Sequence, residues 1–459
     1  MKGKMNTSAT TLQELRPLLA VRLLNGFGAL LPKTRARAGR ALAMDLVESA
    51  KRRCGSDNFG EGDFFEGLWR LLESCQNEAQ LSFIGKIALK VDVLQTLCSR
   101  LRMQQDRQVY AGIAQQQIRQ PLFIVGLPRS GTTLLHALLA TDPEHRCPLM
   151  WEVMMPSPPT SDGEKRRIQQ ATKSCEYFTW LAPNFHYVHP VGPNIPQECV
   201  GLMAPTFMTD QFDTMFYVPS YRGWFFKQDL RPAYQYHRRF LQHLQFRQGA
   251  RRWILKAPTH MFAIPALLSV YPDALFVQTH RTPVDAMASV SSLVTILRRA
   301  FSDAADPFVA CREAIDYWSE TMDKFLQERD RLPSDRICDM AYGDLCRDPI
   351  AAVERIYQHF GWSLSPAARQ RMDALVTSNA HWQSGNHRYD LTQFGFSADE
   401  VLSVFAPYFE RFGSYLTGDK PVGAVAAGIF QKNKNRAAVQ ESPEIIAEPL
   451  GGAAGTDPA

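Results

Sequence analysis

Short apolar runs alternate with longer amphipathic stretches through the middle of the chain. PLFIVG at 121–126 has no charged or hydrogen-bonding side chain and suits a strand buried on both faces. A glycine-containing turn follows, and then TTLLHALLAT, which predicts a helix. WILK (253–256), ALFVQTH (274–280) and RICDM (336–340) are further strand-like runs. Each precedes a stretch at helical spacing: MFAIPALLSVY, interrupted by its proline, then VDAMASVSSLVTILRR (284–299), then PIAAVERIYQHFG (349–361). Gly361 stands where a helix C-cap is expected. This alternation predicts an α/β fold with a central parallel sheet and helices on both faces. In such sheets ligands bind at the carboxyl ends of the strands.

Residues 1–118 read differently. FFEGLWRLLESC (64–75) and IGKIALKVDVLQTLCSRLRM (84–103) repeat apolar residues at helical spacing and carry no evident chemistry. They predict a helical N-terminal cap packed on a domain spanning 119–419. LAVRLLNGFGALL (19–31) is apolar but holds Arg22 and Asn25, too short and too polar to span a bilayer. Core packing and peripheral contact with a membrane surface both suit such an amphipathic helix. From 420 to 459 the chain turns Ala-, Gly- and Pro-rich without periodicity, which predicts a flexible tail.

Composition narrows the classes. The 51 basic and 46 acidic residues leave a net charge of +5, too small and too dispersed for a nucleic-acid partner but compatible with anionic ligands. Nine scattered cysteines with no CxxC pair argue against a disulfide framework or a zinc site and favour a reducing cytoplasm. The start lacks a continuous apolar h-region, so no cleaved signal peptide is expected. The two histidines of HYVH (186–189) have no third ligand nearby, and no metal is expected.

The most informative segment is GLPRSGTTLLH, Gly126 to His136. A strand, a turn with two glycines and a helix N-terminus together present backbone N–H groups to an anion. The spacing is that of a P-loop, GxxxxGK[ST], with Thr132 where the lysine belongs. That lysine reaches the β- and γ-phosphates in nucleoside triphosphatases, so its absence argues against ATP or GTP hydrolysis. Arg129, Ser130, Gly131, Thr132 and Thr133 remain to hold a smaller anionic group.

PRSGTT after a strand resembles the 5′-phosphosulfate loop of sulfotransferases that use 3′-phosphoadenosine 5′-phosphosulfate (PAPS), in their bacterial-type branch. Members often carry lysine at the position of Arg129, and the two cations are not interchangeable at a bidentate site. THRTPVDAMASVSSL (279–293) resembles the family's 3′-phosphate motif, with Arg281 and Ser289 at its eight-residue separation. LKAPTHM supplies Lys256 and His260 where the family often has a lysine and a catalytic histidine, although other members space them as KTH. Tyr342 in AYGDL resembles the tyrosine of YEDL, near the adenine. GNHRYDLTQFGF (385–396) resembles a later block of the same branch, which implies Arg388 at the 3′-phosphate and His387 and Tyr389 along the nucleotide, with a generic polar loop the equal alternative. WEVMMPSPP and IPQECVGLM also resemble that branch, so the likeness covers about 119–415.

The resemblance implies an enzyme that moves a sulfuryl group from PAPS to an acceptor hydroxyl or amine, without a metal. It implies His260 as the base and Lys256 at the leaving oxygen. Glu198, in IPQECVGLM, competes as a base from the acceptor side or is simply a helix-terminal carboxylate. The aromatic, Met-rich stretch 150–226 suits a partly apolar small molecule or lipid, although such residues also build cores. A P-loop kinase or NTPase is the alternative that the missing loop lysine opposes. A non-catalytic nucleotide-binding protein on the same fold is the other. The oligomeric state is not encoded in any motif.

Overall fold

The computed structural model describes residues 19–30, 39–185, 188–378 and 390–416. Five strands form one parallel sheet: β1 (Leu122–Gly126), β2 (His145–Arg146), β3 (Arg252–Lys256), β4 (Leu275–His280) and β5 (Ile337–Ala341). Their order is β2-β3-β1-β4-β5. β1 is central, pairing Ile124 with Lys256 of β3 and Gly126 with Thr279 of β4. β4 in turn pairs His280 with Ala341 of β5. The carboxyl ends of β3, β1, β4 and β5 are thus adjacent, and residues 256, 126–133, 281 and 342 meet there although they are far apart in sequence.

Alternation along β1 divides the core. Leu122 and Ile124 pack with helices Thr132–Ala140 and Pro349–His359 on one face. Phe123 faces the other way, among Tyr271, Phe276 and His260. The Pro349–His359 helix ends as its sequence predicts: Gly361 adopts φ +66°, and the Trp362 N–H reaches back to the Tyr357 carbonyl at 2.7 Å. The predicted helix after β3 is broken. Pro258–Ala263 forms a 3-10 turn, and the α-helix begins only at Ile264.

The N-terminal helices belong to the same compact unit as the sheet. Helix Phe83–Val109 packs against helix Pro283–Phe301, and the Ser82 N–H donates to the Phe301 carbonyl at 2.9 Å. Arg100 is buried on that helix and donates to the carbonyls of Phe59, Glu61, Gly62 and Pro205. It ties the cap to the turn at Pro205. All nine cysteines are free. Among the described residues no helix is long and apolar enough to cross a membrane.

Candidate active site

The turn after β1 adopts the shape that an anion-binding loop requires. Gly126 has φ +133°, and a Cβ there would lie 2.5 Å from the Thr279 carbonyl oxygen. Gly131 has φ +90°, and its Cβ would meet Tyr342 Cδ2 at 2.9 Å. Only glycine fits such positions. Arg129 also has positive φ, +69°, which costs an L-residue about 1–2 kcal/mol and persists only when its surroundings hold it. Those surroundings are visible. Arg129 Nε donates to Ser289 Oγ at 2.9 Å, its Nη1 donates to the Val188 carbonyl, and Arg281 Nη1 donates to the Arg129 carbonyl at 2.8 Å. The Arg281 guanidinium lies 4.3 Å from the Tyr342 ring centroid, and its buried Nε has no hydrogen-bond partner among the described residues. Residues 129, 281, 289 and 342 therefore form one cationic cluster beside the loop, with a donor left over.

Ser130 is placed differently from the expectation. Its side chain is 0% exposed; it lies 2.5 Å from the Leu127 carbonyl and 2.6 Å from Thr279 Oγ1. The hydroxyl is spent on holding the turn. Thr132 and Thr133 begin the following helix, whose first-turn N–H groups have no intrahelical carbonyl. Both line a cavity of about 460 Å³.

The cation missing from position 132 arrives from the neighbouring strand. Lys256, at the end of β3 and 2% exposed, donates to Thr133 Oγ1 at 3.3 Å and to Glu198 Oε1. Glu198 precedes the short helix Cys199–Met203, but its side chain makes no capping bond there. It faces Lys256, with His189 Nε2 at 3.5 Å. Burial alone would raise the Glu198 carboxyl. Lys256 and His189 outweigh that and hold it well below the usual carboxylate range.

His260 does not stand at the cavity, and here the expectation is corrected. Its ring does not line the cavity; it is 0% exposed and packs edge-on against Phe123 at 4.9 Å. Its Nδ1 lies 2.8 Å from the Tyr234 hydroxyl, and its Nε2 is buried without a partner among the described residues. Burial, reinforced by His237, keeps the imidazole neutral. Arg388, His387 and Tyr389 lie outside the described residues, as does the 420–459 segment.

Beyond Glu198 the cavity is largely apolar, with Met150, Val153, Phe178, Phe185, Leu293 and Trp318 on its walls. It also carries acids and bases that motif reading missed. Arg222 bonds Glu313 at 2.7 Å and Asp213 at 3.4 Å, and Arg298 bonds Glu313 at 2.6 Å. Burial pushes Asp92 up to about 6. Burial, then Glu198 and Asp213, pushes Asp210 up to about 8. The acid pair in TDQFD was the only sequence signal for this cluster.

Asp210 gives a pH-dependent prediction. Below roughly pH 4 its carboxyl is protonated in both folded and unfolded chains. Above that the unfolded chain releases the proton, while the folded one holds it until about pH 8. The group therefore destabilises the fold progressively as pH rises through that window. Asp210→Asn is expected to raise Tm at pH 8 and to leave it unchanged at pH 4, measured by calorimetry.

Comparison with known proteins identifies the fold and the family. A family model described as "Sulfotransferase family" matches residues 121–366. Sulfotransferase STF1 from Mycobacterium tuberculosis H37Rv is 32% identical, with a TM-score of 0.72 over 81% of this chain and 100% of that one. STF9 from Mycobacterium avium shares the fold at 24% identity, with a TM-score of 0.73 over 83% of this chain and 98% of that one. The ω-hydroxy-β-dihydromenaquinone-9 sulfotransferase Stf3 of M. tuberculosis is 26% identical over 296 residues, 60% of this chain and 71% of that protein. The chain belongs to the sulfotransferase family, enzymes that move a sulfuryl group from PAPS to an acceptor.

Proposed function

We propose that this enzyme sulfates the hydroxyl of a partly apolar acceptor, with Lys256 and Glu198 as the reacting pair. One observation carries the reading: Lys256 bonds Thr133 of the phosphate loop and Glu198 at the mouth of the acceptor cavity at once. In this reading the loop N–H groups, Thr132 and Thr133 hold the 5′-phosphosulfate. Arg281, with its spare Nε–H, Arg129 and Ser289 hold the 3′-phosphate, and Tyr342 orients Arg281. The donor supplies an activated sulfuryl group. The acceptor oxygen forms the new S–O bond as the phosphate–sulfur bond breaks, and its proton passes to Glu198. Lys256 stabilises the charge left on the phosphate oxygen. By analogy with phosphoryl transfer, positioning and electrostatics carry most of the catalysis. No resident metal enters this scheme. A P-loop kinase is disfavoured because Thr132 stands where the loop lysine belongs.

The apolar walls support an acceptor with a hydrophobic body. Stf3, by its name, acts on ω-hydroxy-β-dihydromenaquinone-9, and a comparable ω-hydroxy lipid fits this cavity in kind. A lipid acceptor makes a membrane surface the natural source. Phe83, Ile87 and Val91 are exposed along one face of helix Phe83–Val109, with Lys86 and Lys90 exposed among them. Leu23 and Leu24, beside Arg22, are exposed on helix Leu19–Leu30. Apolar and basic residues on one face suit peripheral contact with an anionic bilayer. A reducing, cytoplasmic location fits the free cysteines. Sedimentation with phosphatidylglycerol vesicles is expected to carry the protein down, and Ile87→Glu with Val91→Glu to release it. Equal sedimentation of the two forms would remove the membrane from this reading.

The donor assignment is tested by calorimetry with 3′,5′-bisphosphoadenosine and AMP. A charge-assisted contact contributes about 1.5–3 kcal/mol, so the 3′-phosphate should tighten binding by about ten- to a hundredfold. Arg281→Ala should remove most of that difference. Equal affinity for the two nucleotides in the wild type would sink the assignment.

A further inference from the structure

Among the described residues, six on the wall of the acceptor cavity carry a buried polar atom without a hydrogen bond of ordinary geometry: Asp92, Asp213 and Arg298, and a group of three formed by Asp210 Oδ1, Thr259 Oγ1 and Tyr317 OH. These last three come from three separate elements: the turn before helix Gln211–Met215, the 3-10 turn after Lys256 and helix Pro307–Arg329. Thr259 is only 4% exposed. The three are close enough to act on one another: the Thr259 hydroxyl approaches the Asp210 carboxyl as a donor and lowers it, and Asp210 raises the Tyr317 phenol, which Thr321 of the same helix approaches in turn. Nearly all buried polar groups in native proteins are well paired, so three such groups on one cavity wall with only these loose mutual approaches have capacity for a partner that enters the cavity.

The chemistry of that partner follows from the groups. Two are neutral hydroxyls, and the third is a carboxyl that burial keeps protonated at neutral pH. Together they offer several donors and acceptors without net charge. The neighbouring carboxylates of Asp213 and Glu198 repel an anion. The trio also lies near the reaction centre, since Thr259 follows Lys256 by three residues and Glu198 acts on Asp210. We propose that Asp210, Thr259 and Tyr317 form a recognition site for a second polar group of the acceptor, a neutral hydroxyl or carbonyl close to the hydroxyl that is sulfated. This rests on the reading of the cavity as the acceptor site.

Two measurements decide it. The first is thermal unfolding of ligand-free Thr259→Val and Tyr317→Phe. Groups kept for a ligand contribute little to the empty fold, so Tm is expected to stay the same or rise. A fall of several degrees in both would show that they hold the structure, and would overturn the proposal.

The second adds 1-octanol or 1,3-octanediol to the protein saturated with bisphosphoadenosine and reads the thermal shift. The diol is expected to bind about ten- to a hundredfold more tightly, and Thr259→Val to erase the preference. No preference in the wild type, including no binding of either alcohol, overturns the proposal. Tighter binding of 3-amino-1-octanol than of the diol would also overturn it, by placing a cation beside Asp210. The shift produced by bisphosphoadenosine alone reports on the donor site, so failure of the underlying reading is seen separately.

Discussion

Glu198→Gln is expected to lower kcat by about 10²–10⁴-fold, the range for losing a general base, in a labelled-PAPS assay with an ω-hydroxy lipid acceptor. A hydroxyl is a weak nucleophile until its proton leaves, so a base within hydrogen-bond reach is needed. Glu198 meets that need, for it lines the cavity and is ionised at neutral pH. Glutamine keeps the shape and can still accept a bond from Lys256, but cannot take the proton. Bisphosphoadenosine affinity should change little. His260→Ala is the contrasting variant. It leaves the Tyr234 hydroxyl unpaired in the core, which costs about 1–3 kcal/mol of stability, and should alter kcat only a few-fold in the folded fraction. The opposite pattern, with His260→Ala inactive and Glu198→Gln near normal, would return the base to the histidine.

Lys256→Ala is expected to lower kcat by about 10²–10³-fold, the cost of removing one preorganised donor from a developing oxyanion. It should also loosen the empty site, because Glu198 would lose its counter-charge. Lys256→Arg should not restore activity. The ammonium sits 2% exposed between Thr133 and Glu198, where a planar guanidinium does not fit as a point charge does. Single-turnover measurements with labelled PAPS separate this loss from slow product release. Full activity in Lys256→Arg would mean that charge alone, without the compact geometry, is sufficient.

Much of the frame was legible in the sequence. β1, β3, β4 and β5 are short apolar runs bounded by turn or polar residues, and the helices after β1, β4 and β5 follow at helical spacing. The two-residue strand His145–Arg146 left no pattern to read. The loop glycines and the Arg281/Ser289 pair were visible because spacing within one strand–turn–helix unit fixes their neighbourhood. What spacing cannot carry is strand order. Lys256 reaches the loop only because β3 lies beside β1, which no local motif encodes. His260 was misplaced for a related reason. Four residues after Lys256 is near in sequence, but within the 3-10 turn it is Thr259 that lines the cavity, while the His260 ring packs on Phe123. Ser130, in the heart of the motif, was read as a ligand contact and proved to be a brace for the turn. The Asp210, Thr259 and Tyr317 trio is assembled from three distant segments and could not be found without the fold.

The central claim is that Lys256 links the donor and acceptor sites and exchanges Glu198 for the leaving oxygen. A crystal structure with bisphosphoadenosine bound tests this most directly. The account predicts Lys256 Nζ within hydrogen-bond distance of the 5′-phosphate, the Glu198 carboxylate turned to the cavity, and the 3′-phosphate on Arg281. A nucleotide bound with Lys256 still closed on Glu198 alone, or with His260 rotated to face the phosphate, would contradict it.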